Sequence, residues 1–296
     1  MVDFVRLSWR DKAIFENFVC QEENFEELHT LFNLHTSEIK YPYVTGFSGM
    51  DVRITEKRAY VYNSIHKAYN QLGSGVGHNH NDFAYSGICF VIDHINKKLI
   101  DVDNSNLTQL EFGFNIKVPI PAEEIINNNL LMHKTNGPNH VRLFNGRGKL
   151  KQFDHYNYVL KIYDKGRQYN LTENILRFEV RFMKAKEFQK FGIFKLEDLK
   201  DKHMLRKLFK NLIQRFDELV IIDQFDESSI EPLDLSKLNK YNNPYYWETT
   251  IKKYSATTKM RHFNDYSELL NKYNLLTTKI YIRELLLEKY LELINF

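Results

Sequence analysis

With 296 residues, 43% of them hydrophobic and 27% charged, the chain has apolar mass for a substantial core, as one large domain or two modest ones. A formal net charge of +3 excludes a non-specific polycation but permits a local basic groove. Cys20 and Cys89 have no close partner in sequence, which excludes a disulfide framework or metal knuckle and points to a reducing, cytoplasmic compartment. The first residues show no apolar signal region, and no apolar run approaches the ~18 residues of a membrane helix, so no membrane association is expected.

Residues 3–9 read as a strand, 13–32 mix strand and helix signals, and 51–64 read as a hairpin. Residues 77–99 read as a loop followed by a short helix. Residues 107–120 form a strand. Residues 121–134 form a helix, with Pro121 in its first turn and Glu123 and Glu124 at its positive end. Residues 139–166 read as strands joined by turns, with Asn145-Gly146 a hairpin signal. From 196 onward apolar residues recur at three and four, giving helical runs over 196–222 and 267–296. The polar, turn-rich stretch 224–248 between them is the best candidate boundary. The fold class expected is α+β. Residues 1–195 form an antiparallel sheet core with pseudo-duplicated strand–helix units, of which 1–70 are poorly assigned. Residues 196–296 form a mainly helical C-terminal region.

Two nearby runs carry the chemistry. In residues 160–165, LKIYDK, alternation puts Lys161, Tyr163 and Lys165 on one face. In residues 176–182, LRFEVRF, it puts Arg177, Glu179 and Arg181 on one face and Leu176, Phe178, Val180 and Phe182 on the other. If the runs pair, a tyrosine lies among cations and a carboxylate, the parts needed for attack of a tyrosyl oxygen on a phosphodiester. The same pattern also fits an exposed face of alternating charge. Glu111, beside Gly113 and Asn115, repeats the arrangement of Glu179 one strand–helix unit earlier. Two carboxylates from different strands can share Mg²⁺ or Mn²⁺, or each can pair with a neighbouring Lys or Arg. Arg142, Arg147, Lys149 and Lys151 surround the hairpin signal and suit a finger on backbone phosphates, or a solvated turn. The excess of aromatics, 22 Phe and 18 Tyr, fits stacking on single-stranded bases and fits a low-GC coding bias equally. His78 and His80 form a His-x-His pair. Their Gly, Asn and Asp flanks read as a loop, which favours a structural or phosphate-contacting role over metal ligation.

The order GHNHNDFAYS, LTQLEFGFNIKV, VRLFNGRGK, VLKIYDKGRQY, LRFEVRFMKAKEF and late NPYYWE resembles rolling-circle replication initiators of plasmids and filamentous phages. It is similar in particular to proteins related to the phage gene II product and to the Rep_trans family of initiators and conjugative relaxases. The resemblance covers roughly residues 75–195 well and 240–296 loosely. It implies Tyr163 as the DNA-nicking nucleophile, with Lys165 and Arg177 as its catalytic neighbours. It implies Glu111 and Glu179 as ligands of Mg²⁺ or Mn²⁺, and Arg142, Arg147, Lys149 and Lys161 as DNA contacts. Phe144 stands where the family often has Tyr, so no hydroxyl acts there. The implied activity is a metal-dependent nick at single-stranded or extruded origin DNA, leaving a 5′-phosphotyrosine and a free 3′-hydroxyl. A depressed Tyr163 pKa is expected from a nearby ammonium. The late helices offer surfaces for a host helicase, duplex DNA or a homodimer. The competing expectation is a non-catalytic origin-binding or copy-control protein, in which Tyr163 merely stacks.

Overall fold

The computed structural model describes residues 1–139 and 147–296. Its strands are β1 Val2–Trp9, β2 His29–Asn33, β3 Glu38–Phe47, β4 Met50–Ile54, β5 Ala59–Ser64, β6 Asn106–Lys117, β7 Leu130–His133, β8 Leu150–Asp154, β9 Tyr158–Asp164, β10 Ile175–Phe182 and β11 Leu219–Ile221. Nine of them make one sheet in the order β2-β3-β4-β5-β1-β6-β10-β9-β8, and every neighbouring pair in it is antiparallel. The protein is therefore α+β, with a large antiparallel sheet and a helical C-terminal region.

Alternation along the central strands sorts their side chains. Leu110, Phe112, Phe114 and Ile116 of β6 share a face with Leu176, Phe178, Val180 and Phe182 of β10, and all are buried. Against this face lie helices Lys202–Asp217 and Thr277–Asn295. The first of these places Leu205, Leu208, Phe209, Leu212, Ile213 and Phe216 on one stripe, a spacing of three and four. Asp201 caps it by accepting from the His203 amide at 2.7 Å. Phe209 and Tyr290, from the two helices, stack at 3.9 Å between centroids. Phe114 meets both edge-on, at 5.8 and 6.4 Å.

The structure departs from the expected elements in three places. Helix Ile65–Ser74 was not anticipated, although its signals are local. Ser64 caps it by accepting from the Lys67 amide, and Gly75 ends it at φ +75°. The helix expected over 121–134 covers only Ala122–Glu124 plus a wide turn, Ile125–Asn129. Three consecutive asparagines are weak helix formers, and the next residues pair with β11 instead. Each of β6 and β10 thus runs on into a short helix, the second being Lys186–Gln189. Finally, the stretch 224–248 contains helix Pro232–Tyr241 and buries Tyr241 and Trp247 in a second core with Met132, Val220, Tyr266 and Leu269. The Trp247 indole donates to the Tyr241 carbonyl at 2.7 Å, which ties the segment down.

Phe114→Ala is expected to lower the unfolding free energy by about 3–5 kcal/mol, because one ring joins the sheet to both helices. Chemical denaturation of the variant beside the parent measures it.

Candidate active site

The opposite face of the same strands is also buried, and it is ionic. β10 pairs with β6 so that Arg177 faces Asn115, Glu179 faces Gly113 and Arg181 faces Glu111. On its other side Arg177 faces Tyr163 and Glu179 faces Lys161 of β9. The residues that alternation grouped are therefore neighbours in space. Gly113 is the gap that permits this. A Cβ there would lie 2.5 Å from Glu179 Cβ and 2.5 Å from the Phe178 carbonyl oxygen.

Arg177 sits at the bottom, its side chain only 3% exposed. It donates to Glu179 Oε2 at 2.6 Å, to Asp3 Oδ2 at 2.7 Å and to Asn115 Oδ1 at 3.0 Å. Lys161, 20% exposed, places its Nζ 2.9 Å from Glu179 Oε1 and 3.3 Å from Glu111 Oε1. Arg181, 33% exposed, completes the rim with Nε 3.2 Å from Glu111 Oε1. The Tyr163 hydroxyl donates to Glu179 Oε2 at 3.3 Å. Lys165 opens a short helix, Lys165–Gln168, yet its Nζ still lies 5.3 Å from the centre of the Tyr163 ring. Asp164 caps that helix by accepting from the Arg167 amide at 2.8 Å.

Asp3 was missed, and the reason is geometric. Alternation through Val5, Leu7 and Trp9 would send Asp3 to the apolar face. A bulge between Val2 and Val5 of β1 breaks the register with β6 and turns its carboxylate toward Arg177 and Ser64. Asn79 was also missed. From the loop after Gly75 it donates to Asp3 Oδ2 at 2.8 Å, and its Oδ1 accepts from Lys165 Nζ and the Tyr169 hydroxyl, both at 2.7 Å. No local pattern marks either residue.

Other expected residues lie elsewhere. Arg142 and the Asn145-Gly146 turn fall outside the described residues. Arg147 and Lys149 are exposed; Arg147 donates to Asn170 Oδ1 at 2.5 Å, and Lys149 lies 3.8 Å from Glu123. Lys151 is held by the carbonyls of Leu130 at 2.6 Å and Asn127 at 3.3 Å, so its ammonium is spent on the turn before β7. His78 and His80 stack at 4.3 Å in the loop, and His80 packs on Tyr169 at 4.8 Å. Neither joins the carboxylate group. Tyr158 lies away from the site, with the Arg215 guanidinium over its ring at 4.0 Å, and Tyr156 is exposed.

The electrostatics separate the carboxylates. Burial opposes the charge on Glu179, but Lys161 and Arg177 outweigh it and hold this carboxyl far below its usual range. Asp3 is held low in the same way by Arg177. Burial, and then the charge of Glu179, push Glu111 up to about 7. Burial, with Arg177 nearby, brings Lys165 down to about 7. The Tyr163 phenol moves opposite to expectation: burial first, then Glu179, raise its pKa well above the usual value. The Arg177 guanidinium acts the other way but does not offset those two effects.

Ligand oxygens of Asp3, Glu111 and Glu179 lie within 4.8 Å of one another, and among the described residues this is the group of acidic, His or Cys side chains placed to hold a metal ion. Three carboxylates are the hard donor set that Mg²⁺ or Mn²⁺ prefers. Glu111 is pushed up to about 7 by burial and then by the charge of Glu179, two effects that a bound dication would oppose. The residues thus fit a dication, which would compete with Lys161 for the two glutamates.

Gly113→Ala is expected to displace Glu179 and to lower stability by about 1–3 kcal/mol, since the clash is with backbone as well as side chain; denaturation midpoints test this. A second expectation concerns pH. Glu111 is raised in the fold, so its stability contribution is present below its ordinary pKa of 4.5 and is lost as pH rises through about 7. Glu111→Gln mimics the neutral acid. In chelator, the variant should become progressively more stable than the parent between pH 4.5 and 7 and hold that lead above. A constant difference across the window would show that Glu111 titrates normally.

No family model matches the chain, and no curated protein matches it. Among solved structures, a rolling circle replication initiator protein from Geobacillus stearothermophilus matches 78% of this chain and 89% of its own, with 11% sequence identity and a TM-score of 0.41. At that level the likeness assigns no activity to this chain.

Proposed function

We propose that the protein is a rolling-circle replication initiator that nicks one DNA strand at an origin, with Tyr163 as nucleophile and Mg²⁺ or Mn²⁺ as cofactor. The observation that carries this reading is the Tyr163 hydroxyl 3.3 Å from Glu179, within a group of three carboxylates whose oxygens lie within 4.8 Å. The order of sequence motifs around Tyr163 supports the same reading.

In this reading the phenolic oxygen bonds to the scissile phosphorus as the bond from phosphorus to the 3′ oxygen breaks. The products are a 5′-phosphotyrosine and a 3′-hydroxyl. The phenolic proton passes to the Lys165 amine, which burial brings down to about 7, and Lys165 returns it to the departing 3′ oxygen, while Glu179 orients the hydroxyl by accepting from it. Arg177 acts through its neighbours, holding Glu179 and Asp3 in place. Asp3, Glu111 and Glu179 would hold the dication. When bound, it polarises the scissile phosphate and offsets the Glu179 charge that keeps the phenol protonated.

Tyr163→Phe is expected to abolish the covalent protein–DNA species on single-stranded origin oligonucleotides while oligonucleotide binding stays within about twofold. Glu179→Gln should slow adduct formation by about a hundredfold or more, because it removes both a ligand and the carboxylate that orients the Tyr163 hydroxyl. Denaturing gel shifts of labelled oligonucleotide, with Mg²⁺ or Mn²⁺ and with chelator, read both. Full adduct from the Tyr163→Phe variant would move the nucleophile to Tyr169, the other tyrosine bound to the network.

One observation favours the second reading, a non-catalytic origin-binding or copy-control protein. The phenol is buried and held protonated, and the carboxylates already have cationic partners. Origin binding with no adduct in either metal would select it.

A further inference from the structure

The ionic site is one end of a longer sheet face. Beyond Arg181 this face continues across β6, β1, β5 and β4. The register sets Arg6 opposite both Tyr62 and Gln109, Phe4 opposite Ser64, and Arg53 opposite Tyr60. Phe4, Arg6, Arg53, Tyr60, Tyr62 and Gln109 line a hollow of about 300 Å³. Their rings are partly open to solvent, and Arg53 is exposed.

The cations and rings here are interleaved. The Arg6 guanidinium lies 5.7 Å from the centre of the Tyr60 ring and is steadied by Nε donating to Thr108 Oγ1 at 3.0 Å. The Arg181 guanidinium lies 5.7 Å from the Phe4 ring. Arg181 therefore touches both regions, since its Nε is also 3.2 Å from Glu111 Oε1. Two carboxylates are nearby, and both are engaged: Glu111 with Arg181 and Lys161, and Asp51 as acceptor from Asn63 Nδ2 at 3.1 Å. Three guanidinium groups thus stand among three rings on one open face.

We propose that this face is the track for a single-stranded nucleic acid. Its bases stack on Phe4, Tyr60 and Tyr62, and its phosphates meet Arg6, Arg53 and Arg181. The proposal deepens the nicking assignment and rests on it for the direction of the strand, which leads past Arg181 to Tyr163. Five strand spacings separate β4 from β9, so the track is about 24 Å wide, room for several nucleotides. Stacking on rings is tolerant of sequence, so this track supplies affinity, and origin choice comes from other contacts.

The test is anisotropy of labelled oligo-dT across a salt series, with the full chain. Thermal melts would verify that each variant folds. Tyr60→Leu/Tyr62→Leu should weaken binding roughly tenfold or more with the log–log salt slope unchanged, because lost stacking releases no counterions. Arg53→Ala should flatten that slope by ~0.7. Unchanged affinity in the tyrosine variant, or an unchanged slope in Arg53→Ala, overturns the track and leaves the nicking reading intact. Tyrosine-dependent binding without any adduct in the parent protein supports the track and defeats the nicking reading.

Discussion

A guanidinium removed from water must be met by carboxylates, and the arrangement around Arg177 follows from that requirement. Asp3 comes from β1, Glu179 from β10 itself and Asn115 from β6, so one side chain cross-links three strands at the centre of the sheet. Burial of such a group is costly unless each donor finds an acceptor, and removing one partner of a buried pair typically costs about 3–5 kcal/mol. The cluster is therefore a structural element as much as a chemical one. Lys161, Glu111 and Arg181 extend it toward solvent as alternating charges, each neutralising the last.

That alternation separates the two glutamates in behaviour. Glu179 lies between Arg177 and Lys161 and stays ionised, whereas Glu111 is pushed to about 7 by burial and then by the charge of Glu179, against more exposed cations. Two carboxyls with pKa values driven apart in one cleft are a recurrent arrangement for acid–base work. The face that carries them is backed by an apolar layer in which Phe114, Phe178, Phe209, Phe216 and Tyr290 fix the strands against two helices. Positions of the charged groups are set from behind by packing and from within by their own pairing.

Much of this was legible in the sequence because β-strand alternation is a local rule. It placed Lys161, Tyr163, Arg177, Glu179 and Glu111 on one face, and the register brings them into contact. Asp3 was illegible because a bulge reverses its parity, and a bulge leaves no mark in a single strand. Asn79 was illegible because its partners are 76 to 90 residues away. The direction of the Tyr163 shift also escaped the sequence. The pattern showed cations near the phenol, but not that the site is buried or that the Glu179 carboxylate accepts from the hydroxyl. The helix expected over 121–134 failed for a complementary reason: β7 found a partner strand, and pairing outweighed a weak helical preference.

Gly113 has a mechanical consequence. Where β6 passes beneath Glu179, the strand contributes no side chain, so the two strands are joined there by backbone hydrogen bonds alone. Lateral stiffness at that point comes from the ion pairs above it rather than from interlocked methyl groups. Packing stiffness is set once by shape, whereas ionic stiffness varies with the ions present. The middle of this sheet is thus held laterally by buried charge pairing on one face and by the apolar layer on the other, with no side chain from Gly113 interlocking between them.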